Sequence, residues 1–471
     1  MTNLTSLSRR GFLSGAAALG GAVLLPTPSE AGAMIDLTIG PSRAQLLPPP
    51  RPATPVWAYD SALPGPELRF RQGERLQLRA RNRLDRPTSI HWHGLRVPNA
   101  MDGVAHLTQP PIGPGEDFLY EFDLLDAGTY WYHPHMGGAE QLGRGLAGAL
   151  IVEEETPIRV DRDLVWMLQD WRLERGGEVA PGFDSAHDAM HGGRIGSHVT
   201  LNGRPAPRIE VVPNERLRIR IVNAATARVL ALDFGSLAPV VVALDGQPVA
   251  PHAPEGGVVL VGPGMRADIV LDATGEPGAA VTVRDLFRSG DAYDVATLVH
   301  GDTPLRARAP DWDMALAPNP LSEPDLAGAV RHDIVFNGGM MGQMMMGDEA
   351  PAMIEQMRQG RMWFVNGRAS DGHDGPPLIA AEHGSSHVLR LENRTGWWHP
   401  IHLHGHVFRV MSRDGRPTAH REWRDTVLMA PEERVEIAFQ ADNPGDWMLH
   451  CHVLAHRSAG MAALIRVADA V

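Results

Sequence analysis

The chain has 471 residues, a single cysteine and a formal net charge of -13 at neutral pH. That length exceeds what one hydrophobic core serves, and the acidic balance disfavours nucleic acid or an anionic membrane surface as partner. One cysteine excludes an internal disulfide. Fifty Gly and 39 Pro, set between short Val/Ile/Leu/Arg runs, indicate short strands and tight turns.

The chain opens on Ser8-Arg9-Arg10-Gly11-Phe12-Leu13, a twin-arginine pattern, followed by an apolar run from Ala16 to Leu25 and small residues at Ala31-Gly32-Ala33. This reads as an export signal over residues 1–33, cleaved before Met34. The alternative is an N-terminal membrane anchor, but the run is short of the ~20 residues that span a bilayer. The expected location is periplasmic, with no membrane anchor after cleavage. About 440 residues remain, which suits three domains of roughly 100–150 residues each. The expected boundaries are 34–155, 156–310 and 330–471, with a Pro/Ala-rich linker over 311–329. Leu76 to Asn82, Leu217 to Asn223 and Val388 to Asn393 largely alternate with period two, and each ends in Asn at a comparable place in its third. They read as an internal repeat.

His91-Trp92-His93-Gly94 and His133-Pro134-His135 fall in the first third, and His399-Pro400-Ile401-His402-Leu403-His404 in the last. A lone His-x-His pair is weak evidence, and two pairs could equally make a tetrahedral zinc site. Asp102 follows His93 by nine residues within Met101-Asp102-Gly103. It is either a turn residue or a carboxylate near whatever the histidines hold. His106, His187, His191, His198, His373, His383 and His387 read as loop or surface residues.

Between Met340 and Met362 stand eight methionines: Met340, Met341, Met344, Met345, Met346, Met353, Met357 and Met362. Asp348-Glu349-Ala350-Pro351 reads as a helix start, with Met353 and Met357 on one face of the following helix. Thioethers are soft ligands suited to Cu(I); the alternative is hydrophobic gap-filling.

The fourth pair flanks the only cysteine, in His450-Cys451-His452, with His456 and Met461 following at five-residue intervals. Cys, two His and a weak axial Met form the ligand set of a blue-copper electron-transfer site. The preceding residues read as a strand, so Cys451 faces one way while His450 and His452 face the other. One tripeptide then wires a mononuclear copper to a polynuclear one.

These segments, in this order, resemble the copper signatures of three-domain multicopper oxidases: laccases, spore-coat-type oxidases and periplasmic cuprous oxidases. The resemblance spans the chain after the leader. It implies an all-β fold of three cupredoxin-like Greek-key β-sandwich domains holding four copper ions. It implies that His399, Cys451, His456 and Met461 hold the type 1 copper, and that His91 and His402 hold the type 2 copper. His93, His133, His135, His404, His450 and His452 would then hold the type 3 pair. The cluster would lie between domains one and three, with the middle domain a spacer that helps define the geometry. Asp102 resembles an acid that delivers protons. Family members often carry Glu where this chain has Ala455 and Arg457, which puts a second relay in doubt. The implied activity takes single electrons from a reductant and reduces dioxygen to water. The methionine-rich segment resembles insertions of cuprous oxidases, so the expected donor is Cu(I), in copper tolerance. The alternatives are a laccase-like oxidase of small phenols or aromatic amines, and a non-enzymatic copper buffer or envelope scaffold. A monomer is expected.

Overall fold

The computed structural model describes residues 34–340, 350–373 and 375–469. The expected leader and Met341, Met344, Met345 and Met346 lie outside these residues. Six sheets form three face-to-face pairs, giving three cupredoxin-like β-sandwiches. Strands from Ile35 to Glu153 make two four-stranded sheets, those from Arg162 to His300 a six- and a five-stranded sheet, and those from Val330 to Val467 a seven- and a five-stranded sheet. Each pair closes over its own apolar core.

The repeat is a physical device. The strands Arg75–Asn82, Arg216–Asn223 and Ser386–Asn393 each pair parallel with one neighbour and antiparallel with another. Each terminal Asn is buried and used identically. Its amide donates to two carbonyls, those of Arg86 and Ile112, of Arg228 and Val261, or of Trp397 and Ala430. Its oxygen accepts the backbone N–H two residues on, at Leu84, Ala225 or Thr395. A buried turn must satisfy its backbone groups, and the Asn side chain does so where no strand reaches.

The alternation departs from expectation in the middle copy. Every residue of Arg216–Asn223 is buried, including Arg216, Arg218 and Arg220. This strand faces solvent on neither side: Arg218 pairs with Glu154 and Asp268, and Arg220 with Asp163 and the Thr129 hydroxyl of the first domain. The segment 311–329 crosses the first two domains. Trp312 lies under Arg159 at 4.0 Å, and the Asn319 side chain binds both Ala127 and Gln247. Of the helices, Ala186–Met190 from the middle domain packs on Leu454–Ser458 from the last. No helix among the described residues is long and apolar enough to cross a membrane.

Candidate metal centre

In the third domain, strands His399–Leu403 and Gly445–Cys451 run antiparallel, with Ile401 opposite Cys451 and His402 opposite His450. Alternation sends His399 and Cys451 into the domain core and His402 and His450 toward the first domain. In the first domain, His91–His93 pairs with Gly128–His133, so that His91 lies opposite His133 and His93 opposite Trp131. The two pairs of strands meet face to face.

The core-facing side of Cys451 holds three converging atoms. Cys451 Sγ lies 3.5 Å from His399 Nδ1 and 3.7 Å from His456 Nδ1, and the two nitrogens are 3.2 Å apart. The opposite ring nitrogens are both committed as donors. His399 Nε2–H donates to Thr395 Oγ1 at 2.8 Å, and that hydroxyl donates to Asn393, the repeat asparagine. His456 Nε2–H donates to the backbone carbonyl of His191, 2.6 Å away. Both Nδ1 atoms therefore present lone pairs to each other and to the thiol, an arrangement that repels unless a cation sits among them. A point equidistant from the three atoms lies about 2.0 Å from each, the length of a metal–imidazole bond. Trp363 covers both rings, 5.1 Å from His399 and 4.2 Å from His456 between centroids. Met461 is fully buried, and its carbonyl accepts the Cys451 N–H. Burial pushes the Cys451 thiol up and the His456 ring down to about 3, so both stay neutral without a metal.

On the other side, eight buried imidazoles surround one space: His91, His93, His133, His135, His402, His404, His450 and His452. Seven have one nitrogen held by the protein. His91 Nδ1 donates to the Asp102 carbonyl, His402 Nδ1 to the Asp425 carbonyl, His450 Nδ1 to the Cys451 carbonyl and His404 Nδ1 to Asp102 Oδ2. The other nitrogens point inward without partners, namely Nε2 of His91, His133, His135 and His402, Nδ1 of His93 and both nitrogens of His452. Nε2 of His404 and His450 face each other at 3.0 Å, again lone pair to lone pair. Leaving so many buried ring nitrogens unsatisfied is costly, and copper ions, taking one nitrogen per ring, would account for most of them. Burial holds the His404, His450 and His452 rings neutral, His404 down to about 3, as metal ligation requires.

Two buried acids brace the cluster, each reaching one histidine from either domain. Asp102 contacts His404 at 2.9 Å and His91 at 3.2 Å. Burial pushes its carboxyl up, and the flanking imidazoles more than reverse this, holding it well below the usual carboxylate range. Asp425 mirrors it, with Oδ1 3.2 Å from His93 Nε2 and 3.4 Å from His402 Nδ1. Its Oδ2 takes a 2.6 Å ion pair from Arg266, a fully buried middle-domain side chain. Gly94 makes room for this pair: its φ is +88°, and a Cβ there would overlap both Arg266 and Asp425. The sequence singled out Asp102 but not Asp425, Thr426 or Arg266. The available signal was a charged pair, Arg424-Asp425, just before the apolar run Val427 to Ala430. Arg457 lies beside the cluster, Nη2 3.3 Å from His135 Nδ1. His406 is buried against Trp447, and Trp92 packs with Tyr120 and Phe122.

The methionines divide. Met340 is exposed, Met353 is buried against Phe364, and Met357 is partly buried beside them. The helix Ala350–Arg358 carries the latter two. Two histidines differ from the surface reading. His387 is buried on its strand and paired with His332 at 3.0 Å, and His191 abuts the Cys451 site.

Three multicopper oxidase family models match the chain, over residues 42–157, 162–292 and 347–471. The multicopper oxidase MmcO of Mycobacterium tuberculosis is 30% identical over 97% of this chain and 95% of its own length. A copper resistance protein A homolog of Pseudomonas syringae pv. tomato is 27% identical over 99% of this chain and 100% of its own. The crystal structure of a multi-copper oxidase from Pseudomonas thermotolerans shares 34% identity with a TM-score of 0.81, covering 93% of this chain and 99% of that one. With its two buried donor sets joined through one tripeptide, the chain belongs to the multicopper oxidases, copper-dependent oxidoreductases that reduce dioxygen.

Proposed function

We propose that this oxidase takes its electrons from Cu(I), in copper tolerance, after export through a twin-arginine signal. In this reading His399, Cys451, His456 and Met461 hold the type 1 copper, His91 and His402 the type 2 copper, and the remaining six histidines the type 3 pair. Bound copper supplies one-electron acceptance at the Cys451 site and four-electron reduction of dioxygen at the histidine cluster.

The chain's own residues do the rest. His450 and His452 join the two sites to Cys451 through a few covalent bonds. Among the described residues Asp102 Oδ1 faces only His91 Nδ1, at 3.2 Å, whose N–H is shared with the Asp102 carbonyl, and this is the atom assigned to proton delivery. Asp425, locked by Arg266, orients His93 and His402. Trp363 keeps water from the Cys451 site.

One observation favours Cu(I) over a phenol. The outward nitrogen of His456, where a phenol would form its hydrogen bond, is already committed to the His191 carbonyl. Exposed Met340 lies at the same edge, since its N–H donates to the Met190 carbonyl at 3.1 Å. The printed name of the Pseudomonas syringae relative, a copper resistance protein, points the same way. Burial of Met353, with Met357 packed beside it, favours packing for those two. Oxygen uptake by the copper-loaded protein, with Cu(I) and with a phenol, tests the reading. A higher kcat/KM for Cu(I) is expected; a preference for the phenol would make this a laccase-like enzyme.

A further inference from the structure

The middle domain has no role in the chemistry on the family pattern, yet it sends one short helix to the edge of the Cys451 site. The helix Ala186–Met190 is fixed there by its own spare carbonyls. Ala189 O accepts the Trp363 indole N–H, Met190 O accepts Met340 N–H, and His191 O accepts His456 Nε2–H. Helix ends leave such carbonyls without partners, and here the third domain supplies the donors for those of Ala189, Met190 and His191. The other end is capped by Ser185, and Asp188 is clamped by Arg172 at 2.7 and 2.9 Å.

That anchoring holds two histidines, His187 and His191, one turn apart. His187 lies in the helix and His191 is its C-terminal cap, four residues on, the sequence spacing by which two imidazoles chelate one metal ion. Their rings are stacked, centroids 4.2 Å apart and 18° from parallel. His191 Nδ1–H donates to the His187 carbonyl at 2.7 Å, which leaves Nε2 as a lone-pair donor. The His187 side chain is 78% exposed and makes no hydrogen bond among the described residues; its nearest acid, Asp188, lies 4.0 Å away. Trp397 stands edge-on to His191 at 5.6 Å.

We infer that His187 and His191 form an external docking site for the electron-donating cuprous ion; this rests on Cu(I) being the donor. Imidazole suits copper. A cuprous ion held on His191 is one peptide and one hydrogen bond from His456. The electron leaves Cu(I), crosses the His191 carbonyl and His456 to the Cys451 site, and Cu(II) departs. Four Cu(I), one dioxygen and four protons give four Cu(II) and two waters. With only two protein ligands, the remaining positions belong to water, so the oxidised ion can exchange.

The test titrates the copper-loaded full chain with Ag(I), a redox-inert ion of the same charge and softness, by calorimetry. Wild type is expected to bind one more Ag(I) than His187→Ala, and KM for Cu(I) in the variant to rise about tenfold, as when a metal site loses a supporting group. His191→Ala keeps the carbonyl that faces His456 and should lose the same Ag(I). Equal Ag(I) binding by wild type and His187→Ala overturns the inference, even where Cu(I) remains the preferred donor. A wild type that oxidises phenols but not Cu(I) overturns the donor assignment instead, whatever the Ag(I) count.

Discussion

Arg266→Met tests the brace beneath the histidine cluster. Arg266 makes five hydrogen bonds, two to Asp425 and one each to the carbonyls of Asp245, Thr129 and Gly264. Removing it leaves the Asp425 carboxylate buried with only the Thr426 hydroxyl and imidazole N–H groups. Breaking a buried ion pair from one side costs about 3–5 kcal/mol. The methionine offsets little of this, because the arginine stem already buries comparable methylene area. The denaturation midpoint should therefore fall, and since His93 and His402 lose their orientation, copper content should fall with it. Three domains need not unfold in one step, so guanidinium curves followed by tryptophan fluorescence are read beside copper content per chain. Asp425→Asn in the same background removes the stranded charge, and a double-mutant cycle should show coupling of about 1–3 kcal/mol. An Arg266→Met protein with an unchanged midpoint and full copper, or an additive cycle, would refute the reasoning.

Asp102→Asn should leave reduction of the Cys451 site by donor intact while slowing reoxidation by dioxygen; stopped-flow absorbance reads both phases. If Met461 is the weak electron-donating ligand proposed above, Met461→Leu should raise the potential of the same site, read by redox titration. Asp245 is a buried carboxyl pushed up to about 6 by its burial, against the pull of Arg424. A raised carboxyl weakens the fold as pH climbs from about 4, its unfolded value, to about 6. Asp245→Asn should therefore gain stability relative to wild type across that window and level off above it, as seen in melting curves at several pH values.

The donor sets were legible because short-range spacing encodes them. His450-Cys451-His452 faces opposite sides of one strand whatever the rest of the chain does, and His456 and Met461 follow within ten residues of Cys451. The strands ending at Asn82, Asn223 and Asn393 were legible for the same reason, since each asparagine completes a turn within its own copy. Asp425 was not, because it reaches His93 across a domain boundary and has no fixed spacing to any motif. Arg266 and the His191 carbonyl come from a domain that carries none of the four His-x-His pairs, and a backbone acceptor leaves no trace in side-chain chemistry. Arg216–Asn223 reads as a half-exposed strand by its alternating arginines, and only the acids packed against it explain their burial.

The account turns on Cys451 as the single link between electron entry and oxygen reduction, and Cys451→Ser examines it directly. Copper analysis, visible absorption and oxygen uptake are measured on the same copper-loaded preparation. The predicted variant keeps the copper of the histidine cluster, lacks the intense blue copper-thiolate band and consumes no oxygen with either Cu(I) or a phenol. A blue serine variant that turns over would contradict the account.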